Sequence, residues 1–198
     1  MTMDAIAPWL LEAMLPHAGL LPPNPVPSQF EGAQLVTIPH ANLRELVARY
    51  GRAFFEQASS GVAPLLLGAP GRYKSYAAAL LATRIRDAAL IPVGWCDCPV
   101  ALSRFERNRY AAATDAQIEA WKVVPWLVLD DFGMVKEGTW QMGVLTEIAF
   151  TRFDRGLPTC WTGNVEIGPD PHATLVETVG AQLARRMWES SEGYRLRV

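Results

Sequence analysis

The stretch Gly68-Ala69-Pro70-Gly71-Arg72-Tyr73-Lys74-Ser75 carries glycines, a lysine and a hydroxyl in the order a phosphate-binding loop needs. It follows a short apolar run, Pro64-Leu65-Leu66-Leu67, fit for a strand buried on both faces. It precedes an alanine-rich segment, Ser75 to Leu90, of high helix propensity. At such a junction successive backbone N–H groups turn toward an anion, and the helix N-terminus adds its positive end. Lys74 would neutralise phosphate oxygens, Ser75 would place its hydroxyl on Mg²⁺, and Tyr76 closes the expected binding segment. The cofactors this chemistry implies are a nucleotide and Mg²⁺. One position departs from the pattern: Tyr73 stands where the loop has a glycine before its lysine. A side chain there either crowds the loop or points outward over the nucleotide. Without phosphate chemistry, the same stretch reads as an ordinary strand–turn–helix junction.

Trp126-Leu127-Val128-Leu129 is a second apolar strand, and it ends in Asp130-Asp131. A carboxylate at the C-terminal end of a buried parallel strand lies where open α/β sheets bind ligands. Asp130 would hold the metal and Asp131 would orient and deprotonate an attacking water; alternatively, the pair simply serves the turn at Phe132-Gly133. In Arg152-Phe153-Asp154-Arg155-Gly156-Leu157-Pro158-Thr159-Cys160-Trp161-Thr162-Gly163-Asn164 a helix ends, a short strand follows and a polar residue closes it. Asn164 there could reach a terminal phosphate or the lytic water, or be a plain turn residue. Arg185-Arg186, late in the last helix, could reach a nucleotide held by a neighbouring copy or form a solvated basic face.

These residues need a scaffold, and the rest of the chain supplies one. The 198 residues suit one domain with a short appendage. Half are hydrophobic and 19% are charged, which excludes a largely disordered chain. The formal charge of −2 gives no global basicity, so any nucleic-acid contact must come from a local patch. No apolar run reaches the ~18–20 residues of a membrane helix, and Met1 to Leu20 lacks a basic secretory n-region. Cys96, Cys98 and Cys160 form neither a disulfide framework nor a zinc ligand set, so a cytoplasmic protein with reduced thiols is expected.

Six of the fifteen prolines precede Ser28, so residues 1–39 are expected to form a Pro-rich arm. Pro8 to Leu15 is one short amphipathic helix in that reading, followed by an extended Pro22-to-Pro27 stretch. Apolar residues at Leu43, Leu46, Val47, Tyr50 and Phe54 predict a helix over Asn42 to Gln57. Ile91 to Cys98 and Pro158 to Thr162 read as strands, and Tyr194 to Val198 as a last one. Ala101 to Lys122, Thr139 to Arg155 and Thr174 to Ser190 read as helices, the first broken near Ala113-Thr114-Asp115. Strands alternating with helices give a parallel sheet covered on both faces.

The four pieces, in this order and spacing, resemble the DnaC/IstB group of AAA+ ATPases: helicase loaders and transposition ATPases. Leu65 to Ser75 is similar to their Walker A segment and Leu127 to Gly133 to their Walker B. Arg152 to Asn164, with Gly-Leu-Pro-Thr at its centre, resembles their approach to sensor 1, although Gly163 replaces the usual Ser. Leu183-Ala184-Arg185-Arg186-Met187 resembles the segment bearing the arginine finger, with Arg186 the better match. The resemblance covers residues 40–198. It implies a P-loop NTPase of AAA+ type: a three-layer sandwich on a five-stranded parallel sheet of order 5-1-4-3-2, with no lid domain.

By the same resemblance, Ala101 to Lys122 falls where initiator-type AAA+ proteins insert a helix that contacts single-stranded DNA. Arg104, Arg107, Arg109 and Lys122 are its cations, with Phe105 and Tyr110 as stacking faces, diluted by Glu106, Asp115 and Glu119. The implied function is an ATP-dependent DnaC-type helicase loader in DNA replication, of the kind phages and mobile elements encode. Its partners would be a DnaB-type helicase met by the arm, single-stranded DNA, and further copies of the chain joined through ATP, with no membrane. An IstB-like transposition ATPase and a non-hydrolysing P-loop adaptor are the alternatives.

Overall fold

The computed structural model describes residues 25–165 and 168–198. The expected helix at Pro8 to Leu15 and the prolines up to Pro23 lie outside the described residues. Helices α1 (Ala41–Arg52) and α2 (Phe54–Ser59) precede β1 (Leu65–Leu67) and α3 (Lys74–Ala89). Then come β2 (Val93–Asp97), α4 (Cys98–Arg107), α5 (Ala112–Val123), β3 (Trp126–Asp130) and α6 (Trp140–Asp154). β4 (Thr159–Gly163), α7 (Pro171–Val179), α8 (Ala181–Glu189) and β5 (Arg195–Arg197) complete the domain.

The five strands form one sheet in the order β2-β3-β4-β1-β5, and every pairing is parallel. Read from the other edge this is the expected 5-1-4-3-2. Side chains alternate across the sheet, so each strand feeds both faces. Leu65, Leu67, Leu127, Leu129 and Trp161 enter the core beneath α4 to α8. Leu66, Trp126, Val128 and Cys160 enter the other, beneath α1, α2 and α3. That is the three-layer sandwich. Residues 25–39 lie against this second face through buried Val26 and Ile38, with short 3₁₀ turns at Ser28–Phe30 and Leu35–Thr37.

Two expected helices are each two: the first breaks at Ala53 and the last at Gly180. The expected break in Ala101 to Lys122 is there but falls at 108–111, and Ala113-Thr114-Asp115 lie within α5. The apolar stripe Leu175, Val179, Leu183 and Met187 stays buried across the break at Gly180. β2 stops at Asp97 because its carboxylate accepts from Val100 N and Pro99 opens α4.

Arg152 ties the lower end of the central strands together. It is fully buried on α6. Its Nε donates to Thr159 Oγ1 at 2.8 Å, and its Nη2 to Pro158 O at 2.7 Å. Its Nη1 donates to Trp121 O at 2.8 Å and Val124 O at 2.6 Å, carbonyls that the end of α5 leaves over. Burial pushes its pKa down to about 9, which leaves it protonated at pH 7. Arg152→Ala removes the donor to buried carbonyls and opens a void, and is expected to cost ~3–5 kcal/mol. Urea unfolding checks it: the midpoint falls while the slope stays constant.

Candidate functional site

The loop from Gly68 to Tyr73 joins β1 to α3 at the carboxyl edge of the sheet. Gly68 has φ 142°, and a Cβ there would lie 2.1 Å from the Val198 carbonyl oxygen, so the close approach of the residue after β5 requires glycine. Ala69, Pro70, Gly71 and Arg72 are exposed. Tyr73, which directly precedes α3, is left-handed at φ 62° and ψ 18°, a conformation that costs a non-glycine residue ~1–3 kcal/mol. No side chain caps the start of α3, so its first N–H groups have no side-chain acceptor there.

Lys74 is 4% exposed although it opens a helix. Its ammonium donates to Gly68 O at 3.0 Å, Ala69 O at 2.7 Å and Asn164 Oδ1 at 2.7 Å. The loop lysine and the residue following β4 thus meet, 90 positions apart in sequence. Burial lowers the Lys74 pKa, opposed by the nearby Asp131 and Asp130 carboxylates.

Asp130 ends β3 and is buried. Burial raises its pKa, while hydrogen bonds from Thr162 and Ser75 oppose the rise. Asp131 is left-handed at φ 60° and ψ 36°. Its pKa is also raised, first by burial, with Asn164 and Lys74 acting against it. Thr162 joins the two acids: its Oγ1 donates to Asp130 Oδ1 at 2.5 Å and accepts from Asp131 N at 3.1 Å. Ser75 and Asp130 together offer a hydroxyl and a carboxylate, a hard-oxygen donor set that suits Mg²⁺.

Phe132 fixes the turn after these acids. It is fully buried and meets Trp161 edge-on at 5.7 Å. A Cβ on Gly163 would come within 2.8 Å of the Phe132 ring, so glycine at that position lets the ring seat. Ser75, Lys74, Asp130, Asp131 and Asn164 are therefore one cluster.

Arg186 stands apart from it. Its guanidinium carbon lies 4.4 Å from the Phe153 ring centre and 4.7 Å from that of Phe150, with Asp154 at 3.1 Å. It walls a surface cavity of about 410 Å³ between α6 and α8. Arg185 is exposed and pairs with Glu189 at 2.7 Å.

The four cations of Ala101 to Lys122 divide. Arg104, Arg107 and Arg109 are exposed, and Tyr110 is 87% exposed with the Arg109 guanidinium 5.0 Å from its ring. Lys122 is buried and bridges Glu119 at 2.6 Å and Glu147 at 2.5 Å. Phe105 is also buried, packed on Trp121 at 5.3 Å. The three cysteines are free and buried. Among the described residues no group of three or more His, Cys, Asp and Glu could hold a metal ion by itself, and no helix is long and apolar enough to cross a membrane.

Two site residues escape a motif reading. Thr162 is one; its signal is a hydroxyl two positions before Asn164, near the end of a strand that Thr159 opens. Asp97 is the other: it ends β2 in register with Asp130, and like Asp130 it is an acid closing a strand.

No family model matches the chain, and no curated protein matches it significantly. Solved structures do match. The crystal structure of the DnaC helicase loader aligns with TM-score 0.74 at 19% identity, over 87% of this chain and 99% of that one. The crystal structure of DnaI aligns with TM-score 0.71 at 19% identity, over 86% and 93%. AMPPCP-bound DnaA from Aquifex aeolicus gives 0.67 at 14% identity; 85% of this chain is covered, but only 50% of that one. At such identities the likeness is one of fold. The class is thus defined: a P-loop α/β domain with the AAA+ ATPase fold. Within it, the architecture is that of the DnaC helicase loader and of DnaI.

The Thr162 hydroxyl is both donor and acceptor, so Thr162→Val leaves Asp130 and the Asp131 N–H short of a partner. It is expected to destabilise by ~1–3 kcal/mol, with Thr162→Ser close to the parent. Thermal unfolding of the two variants side by side checks it.

Proposed function

We propose that this protein is an ATP-dependent helicase loader of DnaC type, acting in DNA replication in the cytoplasm. The observation that carries the reading is the Lys74–Asn164 contact beside the Asp130–Thr162–Asp131 unit, at the mouth of a loop that enters a helix. In this reading the loop from Gly68 to Tyr73 and the first turn of α3, to Tyr76, bind the phosphates. Lys74 exchanges its loop carbonyls for phosphate oxygens, which is favoured because a buried ammonium gains most from a full anionic charge. Ser75 and Asp130 hold Mg²⁺, which shields the phosphate charge. Asp131 orients the attacking water and takes its proton, and its raised pKa suits a base better than an ordinary aspartate's would. Asn164 holds the terminal phosphate or the water.

Arg186, on the α6–α8 face, reaches the nucleotide of a neighbouring copy in this reading, which makes assembly a condition of full activity. Phe150 and Phe153 fix the guanidinium on its own subunit. The exposed Arg104, Arg107 and Arg109, with Tyr110 beside them, give single-stranded DNA both charge and a stacking face. Lys122 is left out of that surface because its ammonium is already held by two glutamates. Residues 1–39 contribute the contact to a DnaB-type helicase, and residues 40–198 the ATPase domain. The loader likeness in fold supports this reading over a transposition ATPase. The strained Tyr73 favours a second reading, a nucleotide-binding adaptor that does not hydrolyse.

Hydrolysis by the purified protein, with and without single-stranded DNA, separates the two. Asp131→Asn is expected to abolish turnover while ATP still binds, and Lys74→Ala to lose binding as well. ATP binding without turnover in the parent would select the adaptor. In DNA titrations, each of Arg104→Ala, Arg107→Ala and Arg109→Ala is expected to lower the slope of log K against log salt by ~0.7. Lys122→Ala is expected to leave that slope unchanged and to lower the melting temperature instead.

A further inference from the structure

We propose that Tyr73, with His40 beside it, forms the stacking platform for the base of the bound nucleotide. This rests on the nucleotide-binding reading above and gives the base its place at that site.

The argument starts from strain. Tyr73 holds a left-handed backbone at φ 62°, a conformation glycine adopts freely and tyrosine does not. Such a residue persists where its side chain contributes something in return. Burial does not supply that return: the ring is 39% exposed and ranks with the large apolar side chains left at the surface. Nor does a hydroxyl bond: among the described residues this side chain meets only rings.

Those contacts form a row. His40 lies 6.3 Å from Tyr73 at an interplanar angle of 67°, and Tyr76 lies 5.8 Å away at 76°. Tyr76 in turn meets Phe30 edge-on at 6.3 Å and 87°. The row is fixed from two sides. Tyr73 and Tyr76 belong to the loop and the first turn of α3. Phe30 and His40 belong to the segment laid over them, where Gln34 N donates to the Tyr76 hydroxyl at 2.8 Å. Both rings beside Tyr73 meet it at steep angles. Among the described residues no ring stacks parallel on it. A partly exposed aromatic ring with edge-on neighbours is a ready surface for a planar π-system.

Position completes the case. Tyr73 directly precedes Lys74, whose ammonium marks the phosphate end of the site. A nucleotide whose phosphates lie along the loop carries its base to the loop's outer rim, where the row stands. Stacking reads a π-face and not a hydrogen-bond pattern, so it selects nucleotides over bare polyphosphate without choosing one base. The departure from glycine is thus a binding feature.

The test compares AMPPCP with inorganic tripolyphosphate, each with Mg²⁺, by titration calorimetry on the full chain. The parent is expected to bind AMPPCP at least tenfold more tightly than tripolyphosphate. Tyr73→Gly is expected to lose about tenfold for AMPPCP and nothing for tripolyphosphate. Glycine suits the left-handed backbone, so this variant is expected to melt above the parent, and a folding defect does not confuse the result. Tyr73→Phe keeps the ring and is expected to match the parent; His40→Ala is expected to lose AMPPCP affinity by a smaller factor. Tyr73→Gly that binds AMPPCP as the parent does, or loses both ligands equally, overturns the platform. A parent that binds both ligands equally overturns the platform alone. A parent that binds neither overturns the nucleotide reading, and the platform with it.

Discussion

A guanidinium whose four hydrogen bonds all go to neutral acceptors lies at the base of the central strands. Among the described residues, Arg152 is the one charged side chain that the fold has taken wholly out of water. Burying it is costly, so the carbonyls that receive it must be held in place: the end of α5, the entry to β3 and the entry to β4. It thereby fixes where β4 enters between β3 and β1. The five residues of β4 span about 16 Å, and the far end delivers Thr162 and then Asn164 to the acids and the lysine. A small shift at the entry would be carried along the strand to both contacts.

At the carboxyl edge the opposite economy holds. Lys74, Asp130 and Asp131 are drawn from water together, and each pKa is displaced by burial against the pull of its neighbours. The two left-handed non-glycine residues in this region, Tyr73 and Asp131, sit one before the lysine and one after the first acid. Local backbone preference is overridden on both sides of one cluster while the flanking strand and helix follow their propensities. Violations concentrated in this way mark a site that the rest of the fold holds in place.

The sequence shows some of this and hides the rest for identifiable reasons. Alternation of short apolar runs with helical periodicity was enough for a parallel sheet, since a strand buried on both faces has no other simple reading. The strand order comes from the resemblance of the four pieces, in their order and spacing, to a known family, because nothing in a strand's composition says which neighbour it pairs with. The breaks at Ala53 and Gly180 do not show in the sequence because the apolar stripe runs through both, and periodicity reports the buried face rather than the continuity of hydrogen bonds. In the sequence Lys122 and Phe105 look like surface residues, because a cation and an aromatic at helical spacing look alike on either side of a helix. Only packing shows that Glu147 of α6 reaches Lys122 and that Trp121 covers Phe105.

Thr162 was hidden for another reason. Its importance lies in a relation across strands: one hydroxyl between the last residue of β3 and the left-handed residue after it. Asp97 has the same character. It caps α4 through Val100 N and lies in register with Asp130. The helix bearing Arg104 and Arg107 therefore starts from the strand end beside the acids, with no loop between them. In a parallel sheet every strand ends at the same edge, so neighbouring strands bring their terminal residues together however far apart they lie in sequence. That is why a scatter of single acids, a hydroxyl and an amide becomes one site, and why pairing, more than motif spacing, decides its membership.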